Sequence, residues 1–348
     1  MFNKIHHKMW NLSFPKVKLL MMIVTVGVLT IYCLMWGMTS SLTPSFFSEF
    51  DQGARQSRMF SAPVQSDLLR QRKDHLDTEC DAMIASGIMN MTLNISKLSN
   101  VVVDDKYGII YCYVPKVGCS NWKRIFLHMT GMFDKTRTRP EDLKHNEVHF
   151  KYRKRLRVLS TYSVSGIRHR LRNYRKFMFV REPMERLLSA YRDKFAGVGL
   201  EDKTFQKIAD DIWNIFHEDS PLNGHVQKGG ITFLDFVKYL VEMNTLQKAN
   251  FRFDEHWERQ SKLCYPCQIN YDYIGKYSTL GEDAEYILQH IGLSQYSFPK
   301  RSVFYNDSKT NDMLESYFST IPSYYRKQLH KVYETDYRLF NYTFPFDL

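Results

Sequence analysis

Apolar residues along this chain gather in short blocks set between long polar stretches, and the blocks alternate in kind. Residues 109–126, IIYCYVPKVGCSNWKRIF, run from an apolar block through a short loop into an amphipathic stretch. That order predicts a buried strand, a turn carrying Lys116, and the start of a helix. The order recurs in Lys176 to Phe195, KFMFVREPMERLLSAYRDKF, where Pro183 fits the first helical position and Leu187, Leu188 and Tyr191 fall on one face. Tyr273–Tyr277 reads as a further strand, followed by a helix over Gly281–Ile291 with Gly292 as its C-terminal stop. Phe233–Glu242 and Ser323–Leu339 are helical by periodicity, and a short helix is predicted around Phe205–Phe216 inside the weakly patterned stretch 196–230. Strands alternating with helices predict an α/β fold with a mostly parallel sheet covered on both faces. In such sheets ligands sit at the C-terminal strand ends, where both Lys116 and Arg181 would lie.

The longest apolar block has a different meaning. Leu19–Trp36 is uncharged and long enough to cross a bilayer as a helix. Lys4, Lys8, Lys16 and Lys18 precede it, and no Lys or Arg follows until Arg55, so the N-terminus is expected in the cytosol and the rest across the membrane. The block is longer than a signal-peptide core and lacks a clear small-residue cleavage site, which favours an uncleaved anchor. The expected organisation is a cytoplasmic tail (1–18), an anchor (19–38), a polar stem (39–100) and one folded domain (101–348) large enough for a substantial core. Sequons at Asn90, Asn94, Asn306 and Asn341 suit a chain that passes through the secretory pathway, while that at Asn11 falls on the cytosolic side. Beyond the anchor lie Cys80, Cys112, Cys119, Cys264 and Cys267; the number is odd, so at least one thiol is left over. Cys264-Tyr-Pro-Cys267 has zinc-knuckle spacing but no second such pair, so a structural disulfide of open connectivity is expected instead.

The net charge is +11, and its distribution is the informative part. Lys151–Lys176 carries ten Lys and Arg residues and no Asp or Glu. Across a membrane this suggests an acidic glycan or a phosphorylated small molecule as partner, and the anchor argues against nucleic acid. A solvated surface is the plain alternative reading. An oligomer is compatible with the sequence.

Chemistry concentrates at the two strand-to-helix corners. A helix N-terminus offers unpaired N–H groups and a partial positive charge, to which Lys116 adds a full one. Ser120 and Asn121 either cap the helix or donate to a phosphate oxygen. The spacing G-x-x-x-x-G-K-[ST] of a nucleotide triphosphatase is absent, with Gly118 the only glycine of the loop. Arg181 and Ser189 are candidate donors to a second phosphate, although Arg181–Glu185 or Glu182–Arg186 would serve equally as surface pairs.

PKVGCSN (Pro115–Asn121) and REPMERLLS (Arg181–Ser189) resemble the two cofactor motifs of the Golgi carbohydrate sulfotransferases, nearest the chondroitin/dermatan and N-acetylgalactosamine 4-O group. LCYPC (Leu263–Cys267) and YDYIGKYSTLGEDAEYIL (Tyr271–Leu288) share the likeness, which spans roughly Val101–Pro345. The resemblance implies a P-loop-like sulfotransferase sheet related to nucleotide kinases. It also implies that Pro115, Lys116, Val117, Gly118, Cys119, Ser120 and Asn121 hold the 5′-phosphosulfate of 3′-phosphoadenosine 5′-phosphosulfate (PAPS). Arg181, Glu182, Pro183, Met184, Glu185, Arg186, Leu187, Leu188 and Ser189 would surround the 3′-phosphate, and Ser308–Asn311 would cover the nucleotide. In-line sulfuryl transfer builds charge on the bridging oxygen, and Lys116 is placed to stabilise it, with Lys123 and Arg124 as second-line cations. An acceptor hydroxyl needs a base. His149 and His256 are the favoured candidates and Glu255 a third, with Trp257 available to stack on a sugar. No metal is required, and the absence of a D-x-D triplet counts against a metal-dependent glycosyltransferase. Alternative acceptors are terminal N-acetylgalactosamine on N-glycans or a glucuronate-capped chain; a non-catalytic lumenal glycan-binding protein is the alternative from another class.

Overall fold

The computed structural model describes residues 44–134, 138–196, 202–217, 230–246, 253–299 and 310–346. The chain divides into residues 1–63 and 64–348, and the second unit carries everything that follows. No described helix is long and apolar enough to cross a membrane; the expected span Leu19–Trp36 lies outside the described residues, as do Asn306, Ser308 and Lys309.

Five strands form one sheet: β1 (Val101–Asp104), β2 (Ile109–Cys112), β3 (Arg157–Val158), β4 (Arg175–Val180) and β5 (Tyr273–Lys276), in the order β3-β1-β2-β4-β5. β2, β4 and β5 run parallel, with Ile109 opposite Arg175 and Val180 opposite Lys276. β1 is antiparallel to both β2 and β3, so the sheet is mixed: parallel where the two corners leave it and antiparallel at one edge. The buried run IIYC is covered on both faces, which is why it reads as continuous rather than alternating. On one face Tyr111 stacks on Phe177 at 4.9 Å, and Trp122 from the helix Cys119–Met129 lies 4.6 Å from Phe177 and 5.4 Å from Phe179. The neighbouring Cys112 points the other way and bonds to Cys264.

The helices are α1 (Pro44–Ala85), α2 (Cys119–Met129), α3 (Val164–Asn173), α4 (Pro183–Lys194), α5 (Lys203–Phe216), α6 (Phe233–Thr245), α7 (Gln260–Cys264), α8 (Leu280–His290), α9 (Leu314–Phe318) and α10 (Ser323–Leu339). A second core, apart from that of the sheet, forms among α4, α5, α6, α9 and α10, with Leu187, Phe195, Phe236, Trp257 and Tyr333 at its centre. Trp257 is 5.3 Å from Phe236 and 5.6 Å from Phe195 and is buried, so it is core and not a sugar platform.

The polar stretch expected as stem is structured from Val64 onward. Leu69, Leu76, Cys80 and Met83 of α1 are buried in the sheet core. Arg72 reaches Asp283 at 2.6 Å, and Cys80 is bonded to Cys267. Cys264 and Cys267 therefore belong to two different disulfides, to Cys112 and Cys80, and neither is a zinc ligand; the leftover thiol is Cys119, which is buried.

Candidate active site

The first corner leaves β2, turns through residues 113–118 and enters α2. Two of its residues take left-handed backbone, Lys116 (φ 69°) and Gly118 (φ 72°). Glycine is needed at 118 on two counts: the dihedral is unfavourable for a side chain, and a Cβ there would lie 2.8 Å from Leu280 Cδ2. Lysine at 116 holds the same conformation without that freedom, a strain of the kind found at functional sites. The first turn of α2 leaves the Cys119 and Ser120 N–H groups without intrahelical acceptors, while the Asn121 amide already donates to Gly118 O at 3.1 Å. Val117 and Cys119 are buried and contribute backbone only. Asn121 donates from Nδ2 to Pro299 O at 2.9 Å and accepts from Arg124 at 2.7 Å, so its side chain is a tether. Arg124 also donates to Leu143 O at 2.8 Å, and Lys123 sits 3.5 Å above the Tyr113 ring. Both second-line cations thus have structural partners.

The second corner leaves β4 and enters α4 with Pro183 at its start and Glu182 as N-cap, its carboxylate accepting from the Glu185 amide at 2.6 Å. Parallel pairing of β2 with β4 puts both corners at one sheet edge, and two arginines tie them. Arg181 Nη1 donates to Lys116 O at 3.1 Å, its Nε to Glu185 at 3.2 Å, and its guanidinium lies 4.1 Å over Tyr277. Arg186 is buried, and its three nitrogens donate to Pro115 O (2.9 Å), Glu258 O (2.6 Å) and Glu255 O (2.7 Å). Arg186 is therefore a structural clasp, a correction to its expected place among the phosphate ligands. Met184, Leu187 and Leu188 are likewise buried in the second core; Arg181 is buried too, and Glu182, Glu185 and Ser189 are the half-buried polar side chains of this motif. The Ser189 hydroxyl is half-buried and has no hydrogen-bond partner among the described residues.

Lys116 Nζ pairs with Asp193 at 3.0 Å, and Asp193 also meets Lys194 at 3.2 Å. Burial pulls the Lys116 pKa down, against the opposing pull of Asp193. Burial pushes the Asp193 carboxyl up, but the two ammonium groups outweigh it and the net shift is downward. Ser120 Oγ is 2.8 Å from His149 Nε2, and His149 stacks on His145 at 4.3 Å. Burial first, then the charges of Lys123, His145, Arg124 and His256, push the His149 imidazole down to about 3, so it is neutral at physiological pH. His256 Nδ1 lies 2.6 Å from Asp254. Glu255 accepts from Asn100 at 3.0 Å and from Tyr113 at 3.5 Å, which makes it part of the scaffold rather than an available base.

A model of the sulfotransferase family matches residues 99–343. The chain belongs to the sulfotransferase family. It is 37% identical over 280 residues to carbohydrate sulfotransferase 11 of Mus musculus, covering 80% of this chain and 77% of the relative. It is 40% identical over 253 residues to carbohydrate sulfotransferase 9 of Homo sapiens, covering 72% and 54%. The Danio rerio carbohydrate sulfotransferase 11 is 36% identical over 276 residues, covering 79% and 76%. No solved structure matches. The protein is a sulfotransferase, as the resemblance implied, and its relatives carry the carbohydrate sulfotransferase name.

Two residues beside the candidate site escaped the sequence reading. Asp193, which pairs with Lys116, stands one turn beyond Ser189 on the same helix face. Asp254 stands two residues before His256 in a segment without periodicity, where nothing but that adjacency pointed to it. Among the described residues no group of three or more His, Cys, Asp or Glu side chains is arranged to hold a metal.

Glu182 provides a pH handle on the second corner. Its carboxyl accepts from the Tyr337 hydroxyl, and burial pushes it up to about 7 despite that bond and those from the Glu185 and Met184 amides. From about pH 4.5 to about pH 7 the folded chain holds a proton that the unfolded chain releases, so this group's stabilisation is greatest on the acid side and falls as pH rises through that window. Glu182→Gln keeps an acceptor for the Glu185 amide, and we expect it to stabilise the protein by about 1–3 kcal/mol at neutral to mildly alkaline pH and by little at about pH 5. Thermal unfolding of both proteins between those pH values checks this; parallel curves would rule it out.

Proposed function

We propose that the enzyme transfers a sulfuryl group from PAPS to the 4-hydroxyl of N-acetylgalactosamine in chondroitin or dermatan chains. The observation that carries the reading is the convergence of the two corners, Arg181 bound to the carbonyl of Lys116 and Arg186 to that of Pro115. The residues fit a donor bearing phosphates at both ends. The helix N-terminus with Lys116 and Ser120 takes the phosphosulfate end. Arg181 and the unpartnered Ser189 hydroxyl take the 3′-phosphate. PAPS supplies the activated sulfuryl group, whose leaving oxygen gains negative charge as its bond to sulfur breaks. Lys116 holds its ammonium where that charge develops, and the amides of the first α2 turn add fixed dipoles. A histidine accepts the proton of the acceptor hydroxyl.

The basic run supports an acidic glycan as acceptor. Arg153, Lys154, Arg155 and Arg157 are exposed along the segment that forms the edge strand β3. Burial lowers the Lys123 pKa, and the charge of Arg153 acts in the same direction. Replacing Arg153, Lys154 and Arg155 together with Gln should raise KM for polymeric chondroitin by about tenfold at low salt, with the difference shrinking as salt rises and KM for PAPS unchanged. An unaltered polymer KM would remove this strip from acceptor binding.

The same reading makes 1–18 cytoplasmic, 19–38 a membrane anchor and the catalytic domain lumenal in the Golgi. Two disulfides suit an oxidising compartment, and Asn90, Asn94 and Asn341 are exposed for glycosylation. The deciding experiment incubates the detergent-solubilised full chain with labelled PAPS and a panel of desulfated chondroitin, desulfated dermatan and N-glycans ending in N-acetylgalactosamine. Label on chondroitin or dermatan at position 4 is the expected result. Label confined to N-glycans would move the acceptor, and no label on any glycan would refute the carbohydrate acceptor.

A further inference from the structure

We infer that Asp254 positions His256 as the general base of the transfer, holding the ring in the tautomer that keeps Nε2 bare for the acceptor hydroxyl. The inference rests on the sulfuryl-transfer reading above and assigns the proton acceptor that this reading leaves open between two histidines. A base needs an unoccupied lone pair, a fixed tautomer and a nearby charge to support the imidazolium that forms. His149 has none of these in place. Its Nε2 is engaged with Ser120 Oγ at 2.8 Å, its neighbours are cations and another histidine, and no carboxylate meets its ring among the described residues.

His256 is held differently. A single carboxylate oxygen, Asp254 Oδ1, receives the His256 backbone N–H at 2.9 Å and meets the ring Nδ1 at 2.6 Å, so one side chain clamps both the main chain and the imidazole of the same residue. Burial raises the Asp254 pKa, but the bonds and charge of His256, with Lys194, outweigh it and leave the carboxyl below its usual range. An ionised carboxylate only accepts, so Nδ1 carries a proton, and in the neutral ring Nε2 presents its lone pair. The ring is braced by Phe205, edge to face at 5.4 Å.

A relay of contacts links this pair to Lys116 through Phe205, Lys194 and Asp193. Lys194 Nζ lies 4.5 Å from the Phe205 centroid and 3.2 Å from Asp193, which lies 3.0 Å from Lys116. His149 is bonded to Ser120 in the first turn of α2. His149 thus holds the Ser120 hydroxyl, while His256 is held by Asp254 and Phe205. In the transfer, the acceptor oxygen forms a bond to sulfur with its own electron pair, and its proton passes to His256 Nε2. The sulfur–oxygen bond to the phosphate breaks, and its electron pair stays on that phosphate oxygen beside Lys116. The imidazolium, paired with Asp254, returns its proton to solvent.

The test compares His256→Ala, His149→Ala, Asp254→Asn, Asp254→Glu and the double variant Asp254→Asn/His256→Ala in the full chain. Turnover, KM for PAPS and binding of 3′,5′-bisphosphoadenosine are measured for each. We expect His256→Ala to lose about 10²–10⁴-fold in kcat with nucleotide binding intact, and added imidazole to restore part of the loss. Asp254→Asn, whose amide can donate to Nδ1 and so favour the wrong tautomer, should lose about 10–10²-fold in kcat with KM for PAPS within twofold, and Asp254→Glu should recover part of it. Asp254→Asn should add almost nothing to His256→Ala, because an orienting group has no effect once its ring is gone. Imidazole rescue of His149→Ala but not His256→Ala, full turnover in His256→Ala, or independent multiplication of the two losses would each overturn the assignment. Those failures leave the sulfuryl-transfer reading standing, because that reading falls only if label transfer from PAPS is absent in the unmodified enzyme.

Discussion

Lys116→Ala is expected to lower kcat by about 10²–10³-fold or more while the protein stays folded and still binds 3′,5′-bisphosphoadenosine. The size follows from where the ammonium sits. It is the charged side chain of the first corner, mostly withdrawn from water, and a cation so placed counts for more beside a developing anion than it would in water. Little structural cost accompanies its loss. The Lys116–Asp193 pair is partly exposed, so its contribution to stability is small, and Asp193 keeps Lys194 at 3.2 Å when Lys116 is gone. The backbone at 116 keeps the same strain, since alanine gains no freedom at φ 69° that lysine lacked. Lys116→Arg separates charge from geometry. It keeps the cation but replaces a compact ammonium with a planar fork, so it should recover only part of the rate. Turnover measured beside nucleotide binding and thermal unfolding decides the matter. Turnover within threefold of the unmodified enzyme in Lys116→Ala would remove this lysine from the chemistry.

How much of this was legible in the sequence depends on how local each determinant is. The two corners were legible because strand, turn and helix lie within a score of residues, and two parts have their own signal: the apolar run IIYC for a buried strand and Pro183 for a helix start. Helix Ser323–Leu339 was legible for the same reason, its apolar stripe being self-contained. Helix α1 was not. Only Leu69, Leu76, Cys80 and Met83 of its second half face the core, a narrow stripe among charged residues, and that composition reads as a linker. Its remaining anchors lie far away in sequence: Asp283 for Arg72, Arg338 for Glu79, Cys267 for Cys80. The antiparallel edge also went unread, because β3 is two residues long and sits in the basic run whose charge dominated the reading. Arg186 was misread for a related reason. An arginine in a phosphate-binding motif looks like a ligand until its acceptors are seen, and all three are carbonyls from other segments.

Those three carbonyls underlie the largest expected effect on stability. Arg186→Ala should destabilise the fold by about 3–5 kcal/mol, because it strips donors from the carbonyls of Pro115, Glu255 and Glu258, which lie where water enters poorly. Against a typical total of about 5–15 kcal/mol this is a large share, and for a unit of this size it corresponds to a fall in Tm of about 10 °C or more. Arg186→Met probes the cause. Methionine roughly restores the buried volume and removes the cost of burying a charge, yet it leaves the carbonyls unpaired, so it too should be strongly destabilised if the hydrogen bonds matter. Arg186→Lys should fall between, since one ammonium cannot span three acceptors arranged around a planar guanidinium. Thermal unfolding followed by circular dichroism measures all three, and a Tm for Arg186→Ala within about 2 °C of the unmodified protein would show that the clasp is dispensable. Activity should fall faster than the folded fraction as temperature rises. The same guanidinium fixes the loop that carries Lys116 and the segment that carries Asp254 and His256, so loosening it separates Lys116 from His256 before the sheet itself melts.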